Sequence, residues 1–128
     1  MKKLLLGAAL LTLSSQVFAA EKAQMDQGKK VFTATCIACH QATGLGLPGA
    51  FPPLAKSDYI KDEAAVIKQI VHGSTGGLTV NGVKYAMPMP AQGATLSDED
   101  IAAVITYVRN SWGNSYPATK AETVKKAR

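Results

Sequence analysis

The chain has 128 residues, 47% of them hydrophobic, and its 14 Lys and Arg against 9 Asp and Glu give a formal charge of +5. That length suits one domain with a limited core, and the charge excess is mild, without the basic and aromatic clustering expected of a nucleic-acid groove. Two cysteines and two histidines exclude a disulfide-dense scaffold and leave a closed zinc site dependent on recruited carboxylates.

Lys2 and Lys3, the apolar stretch from Leu4 to Leu13 and the small-residue site Val17-Phe18-Ala19 read as the charged start, core and cleavage site of an export signal. Residues 1–19 are expected to be removed, leaving residues 20–128 as a single domain of formal charge +3 once Lys2 and Lys3 are gone. Ser14, Ser15 and Gln16 interrupt the apolar run well before the roughly 20 residues a membrane span needs, so no stable membrane insertion is expected. No cysteine follows the run to carry a lipid. The expected destination is a bacterial periplasm.

Met25, Gly28, Val31, Phe32 and Thr35 recur at helical spacing and predict a first helix over residues 23–35. Glycine inside a helix costs about 1 kcal/mol relative to alanine, so Gly28 predicts the close approach of another backbone.

The helix leads into Cys36-Ile37-Ala38-Cys39-His40, the C-x-x-C-H arrangement of covalent haem attachment. Two thiols at this spacing can add to the two vinyl groups of one porphyrin, and the adjacent imidazole then lies under the iron. Three rival readings stand beside it. A thioredoxin-like redox pair would need a preceding strand and a βαβ context. Half a zinc site would need a second ligand pair, for which His72 is the one remaining histidine. A plain disulfide is the ordinary fate of exported cysteines, but it gives His40 no task.

Residues 41–53 carry Gly44, Gly46 and Gly49 with Pro48, Pro52 and Pro53 and read as an ordered loop. Residues 57–60 suggest a short turn. A second helix is predicted from the N-cap Asp62, with Val66, Ile67, Ile70 and Val71 on one face, ending at Gly73. Leu78, Val80, Val83 and Tyr85 alternate around Asn81-Gly82, predicting a small β-hairpin over residues 78–85. Met87-Pro88-Met89-Pro90 comes next, held extended by its prolines. The strongest helix is predicted over residues 97–112, capped by Ser97 with Asp100 and buried through Ile101, Val104, Ile105, Val108 and Trp112. From about residue 114 the tail is polar and basic, with a short packed helix expected from about Thr119.

This order of features resembles a class I monohaem cytochrome c of the bacterial periplasmic type, similar to the cytochrome domains of alcohol-dehydrogenase and nitrite-reductase systems. The resemblance covers nearly all of residues 20–128. It is carried by the C-x-x-C-H motif, by Gly44-Leu45-Gly46-Leu47-Pro48-Gly49-Ala50-Phe51-Pro52-Pro53-Leu54-Ala55, by Val80-Asn81-Gly82 and by Thr106-Tyr107-Val108-Arg109-Asn110-Ser111-Trp112-Gly113-Asn114.

The resemblance implies an all-α fold of about three main helices round one covalent haem c, with the hairpin as a minor addition. It makes Cys36 and Cys39 the thioether donors and His40 the proximal iron ligand, with the Pro52 or Pro53 carbonyl bonded to the other ring nitrogen. It brings Gly28, Phe32 and Tyr107 together. In related sequences the distal ligand lies four residues after the counterpart of Tyr85 and about seven before that of Leu96. Both counts select Met89, with Met87 second and His72 or an open sixth position behind them.

An iron held by His and Met has no vacant position for substrate, and the thioether raises its potential. The expected function is therefore a non-enzymatic, soluble periplasmic one-electron carrier between respiratory partners: oxidase, reductase or dehydrogenase. Association is expected to be transient and the chain monomeric, with Lys29, Lys30, Lys56, Lys61, Lys68 and Lys84 steering it toward acidic surfaces. Two alternatives remain, a haem enzyme or gas or peroxide sensor with a displaceable sixth ligand, and a dedicated cytochrome subunit of a larger dehydrogenase.

Overall fold

The structure, a computed structural model, describes the backbone of residues 5–128 and the side chains outside residues 1–15, 18 and 20. Most of the expected export signal lies outside the described side chains. Helix α1 spans Leu5–Val31, starting well before residue 23 because no proline interrupts residues 5–31. Among the described residues no helix is long and apolar enough to cross a membrane.

At Val31 the helix changes pitch. Phe32–Cys36 form one π-helical turn, in which the Ile37 N–H donates to the Phe32 carbonyl five residues back. Such turns insert one residue into a helix and re-aim the segment beyond it. That segment is α2, Ile37–His40. The two cysteines and the histidine of the motif stand at spacings i, i+3 and i+4, which share one helical face.

A 3-10 turn at Tyr59–Lys61 precedes α3, Glu63–His72, whose N-cap Asp62 accepts from the Ala65 N–H at 3.1 Å. Strands β1, Leu78–Val80, and β2, Val83–Tyr85, pair antiparallel with Leu78 opposite Tyr85. Asn81 and Gly82 both hold positive φ, at 50° and 78°, as a two-residue hairpin turn requires. Asp58 and Asn81 clasp this turn to the preceding loop, each side chain accepting from the other's backbone N–H at 2.8–2.9 Å.

Helix α4, Asp98–Val108, is capped by Ser97, whose hydroxyl accepts from the Asp100 N–H at 3.1 Å. It is buried all round, from Ile101 through Thr106 and again at Val108, where the sequence predicts one apolar stripe. The reason is that α4 has neighbours on every side. Residue Ala103 meets α1, Thr106 meets the tail, and Val104, Ile105 and Val108 line a cleft.

The helix also stops one turn short of Trp112. The Asn114 carboxamide takes the Val108 carbonyl at 3.0 Å, and Trp112 adopts φ +53° so that its indole N–H donates to Ala42 O at 3.0 Å. Its ring packs with Phe32 and Tyr107 at centroid separations of 5.3–5.8 Å, forming an aromatic triangle at the helix crossing.

The tail from residue 114 is packed rather than extended. Helix α5, Ala121–Lys125, buries Val124 completely. Thr119, 1% exposed, donates its N–H to Thr106 Oγ1 at 2.9 Å, and its carbonyl accepts from Gln24 Nε2 at 2.8 Å. The tail thus joins α1 to α4.

The crossing of α1 and α4 depends on Gly28. A Cβ there would overlap the Ala103 carbonyl oxygen and lie 2.6 Å from Tyr107 Cβ. Gly28→Ala is expected to cost about 2 kcal/mol or more, the overpacking penalty exceeding the ~1 kcal/mol gained in helix propensity. Denaturant unfolding of the two proteins side by side measures it.

Candidate functional site

One cleft of about 980 Å3, counted out to its open mouth, runs between α2, the 41–61 segment, α3, the hairpin and α4. Cys36, Cys39 and His40 line it from the C-x-x-C-H motif, while Met87 and Met89 line it from the Met-Pro segment. The rest of the lining is mainly apolar, including Leu54, Ile60, Val66, Ile70 and Val104.

His40 is oriented from behind. Its Nδ1 lies 3.0 Å from Pro52 O, and since a carbonyl only accepts, Nδ1 carries the proton and Nε2 keeps its lone pair. Burial pushes the imidazole pKa below its ordinary value, with the Pro52 carbonyl acting weakly the other way. The ring is therefore held as a neutral donor, the form that ligates a metal. Of the two carbonyls expected, that of Pro52 makes the bond, and both prolines line the cleft.

The support of that carbonyl is tight. Leu47 and Phe51 exchange both backbone hydrogen bonds at 2.9 Å, and Gly46 N–H donates to His40 O at 3.0 Å. Gly46 has φ +63°, and a Cβ on it would overlap Phe51 O and lie 2.6 Å from Pro52 O. Directly after His40, Gln41 takes φ 67°, ψ 159°, a region that is nearly glycine-only and costs about 1–3 kcal/mol. Its carboxamide offsets part of that by bonding Ala38 O at 3.2 Å.

Both thiols are free and partly buried. Burial, and then the neighbouring Cys39, pushes the Cys36 thiol up to about 11. A dithiol oxidoreductase needs the opposite shift, and no strand precedes the motif among the described residues. Among the described residues, no group of three or more His, Cys, Asp or Glu is placed to hold a metal ion, so nothing in the geometry supports the zinc reading. His72 ends α3 outside the cleft, with Nε2 3.2 Å from Ala127 O.

The two methionines differ. Met87 is 50% exposed at the mouth, whereas Met89 is half-buried and pairs with Ser74 through two backbone hydrogen bonds of 2.9 and 3.0 Å. Its sulfur accepts from Gln69 Nε2 at 3.5 Å, while the same nitrogen donates to Ser74 Oγ at 2.8 Å and Tyr59 OH donates to Gln69 Oε1 at 3.4 Å. The amide is thus oriented at both ends, and a thioether with one lone pair so engaged keeps the other. Sequence reasoning misses Gln69, Ser74 and Tyr59. A polar residue at Gln69, beside the apolar face of α3, is the available signal.

Gly46→Ala is expected to destabilise the protein by about 2 kcal/mol and to loosen the Pro52 carbonyl. The His40 Nδ1 proton should then exchange with solvent about tenfold faster or more, for a ~1.4 kcal/mol weaker closure, as read by NMR.

The cytochrome c family model matches residues 25–112. The chain is 39% identical over 116 residues to cytochrome c-552 of Thermus thermophilus, covering 83% of this chain and 76% of that protein. It is 33% identical to the cytochrome c subunit of the quinone alcohol dehydrogenase of Gluconobacter oxydans, over 82% of this chain but 22% of that protein. It is 38% identical to cytochrome c6 of Cladophora glomerata, over 69% and 89% respectively. The apolar cleft, the paired thiols on one helical face and the neutral imidazole fit the family's covalent haem c, whose iron supplies the one-electron couple. With residues 25–112 matched and its motif facing that cleft, the chain belongs to the cytochrome c family of electron carriers.

Proposed function

We propose that this chain is an exported periplasmic one-electron carrier, its haem bound through Cys36 and Cys39 and ligated by His40 and Met89. The observation that carries the reading is that Cys36, Cys39, His40 and Met89 all line one largely apolar cleft. Pro52 keeps the His40 tautomer, and Ser74 and Gln69 hold the Met89 backbone and sulfur. Two fixed ligands leave no open position for substrate and little geometry to change on electron transfer. The protein then moves electrons without making bonds.

Met89→Ala is expected to abolish the near-red iron–sulfur band and to lower the potential by more than ~59 mV, one decade of a one-electron couple. Met87→Ala should retain both. Carbon monoxide should bind reduced wild-type protein slowly and the Met89→Ala protein fast. Survival of the band in Met89→Ala moves the ligand to Met87, and rapid stoichiometric binding to the wild type favours the sensor or enzyme reading.

Lys29, Lys30, Lys56, Lys61, Lys68 and Lys84 are all exposed and support transient, steered encounters of a monomer with acidic respiratory partners. The similarity to dehydrogenase cytochrome c subunits favours a second reading, in which the same site serves one larger enzyme. For a free carrier the bimolecular rate should fall several-fold between low and physiological ionic strength. Rates indifferent to salt remove the steering, and co-purification with a dehydrogenase at modest salt establishes the subunit.

A further inference from the structure

Arg109 is the one buried charged side chain among the described residues, 5% exposed. Its Nε donates to Ile60 O at 3.1 Å, Nη2 to Lys61 O at 3.4 Å and Nη1 to Glu63 Oε1 at 3.3 Å, with the guanidinium 4.7 Å from the centroid of the Tyr116 ring. Ile60, whose carbonyl it holds, and Val108, its chain neighbour, both line the cleft. A fixed positive charge is therefore hydrogen-bonded to the backbone of the cleft wall. Glu63 Oε1 also accepts from Thr119 Oγ1 at 2.6 Å, and its side chain is 35% exposed.

Stability alone is a poor account of this arrangement, because the desolvation of a buried ion consumes most of what its pairing returns. We propose that Arg109 and Glu63 form an electrostatic tuning pair for the haem held in the cleft. The cation raises the reduction potential and the carboxylate trims it. Reduction brings one electron from the partner and lowers the charge of the bound haem by one unit. A nearby cation favours that product, and a nearby anion opposes it. The drier environment of the guanidinium makes its field the stronger of the two, since the carboxylate is partly screened by solvent. The proposal rests on the electron-carrier reading and deepens it, but it does not depend on which methionine binds iron.

Potentiometric titration of the holoprotein with full visible spectra tests it. In Glu63→Gln the side-chain oxygen can still accept from Thr119 and Arg109, so only the charge is lost. The reduction equilibrium should move toward the ferrous state by threefold or more, about 28 mV at ~59 mV per decade. Arg109→Met should move it at least threefold the opposite way. Arg109→Lys, which keeps the charge but loses the planar fork, should stay within threefold of the wild type even though it unfolds more easily. Structural damage alone would move both charge-removing variants in the same direction.

A Glu63→Gln shift below threefold, or shifts of the same sign in Glu63→Gln and Arg109→Met, overturns the pair. If Arg109→Met does not fold, Glu63→Gln and Arg109→Lys decide by the same limits. Failure of the carrier reading shows separately, as rapid carbon monoxide binding by the wild type.

Discussion

The close crossing of α1 and α4 is the constraint on which the rest of the structure depends. Gly28 lets the Ala103 carbonyl and the Tyr107 side chain reach the α1 backbone. That approach brings Phe32, Tyr107 and Trp112 into one aromatic cluster. It also sets where α1 ends, and hence where the π turn and α2 begin. Since the π turn and α2 carry both thiols and His40, the position of the cofactor face depends on a contact made two turns earlier. Val104, Ile105 and Val108 of the same α4 form part of the cleft wall, so one crossing sets two sides of the site.

A domain this small buries a limited core, and here much of the apolar surface faces a cleft rather than another side chain. The haem that the family binds completes that core. The loops that connect the helices and the hairpin round the cleft have little regular structure of their own and are held by specific polar groups instead. Asn114 bonds the carbonyls of Leu54 and Val108 and the backbone N–H of Lys56; Asn81 and Asp58 clasp the hairpin turn. Gln69 and Ser74 hold the Met-Pro segment. Among the described residues no buried side-chain nitrogen or oxygen lacks a partner, which is the condition for irregular backbone to persist around an apolar site.

The C-terminal segment belongs to the same scheme. Thr119 touches all three of its neighbours: Gln24 of α1, Thr106 of α4 and Glu63 of α3. Through Glu63 and Arg109 it reaches the Ile60 and Lys61 carbonyls behind the cleft. Arg128 bonds Asp98 at 2.5 Å and Leu96 O at 2.8 Å, tying the end of the tail to the start of α4. A polar, basic stretch thus becomes a structural belt.

The sequence by itself determined the cofactor chemistry and the order of elements. The C-x-x-C-H spacing, the Asn-Gly turn, the caps Asp62 and Ser97 and the cost of a helical Gly28 are local facts, readable because each acts within a few residues. Tertiary structure alone decided the rest. The π turn at Phe32–Cys36, the early end of α4 and the left-handed Trp112 arise where distant groups compete for the backbone. Helix α4 is buried on every face because α1, α5 and the cleft surround it, which no single periodicity encodes. Whether Met87 or Met89 is the better held, and which amide meets its sulfur, depends on Ser74 and Gln69, residues 15 and 20 positions before Met89 in the chain. Spacing names the atoms that can bind; only packing and long-range hydrogen bonds select which of them are held in place.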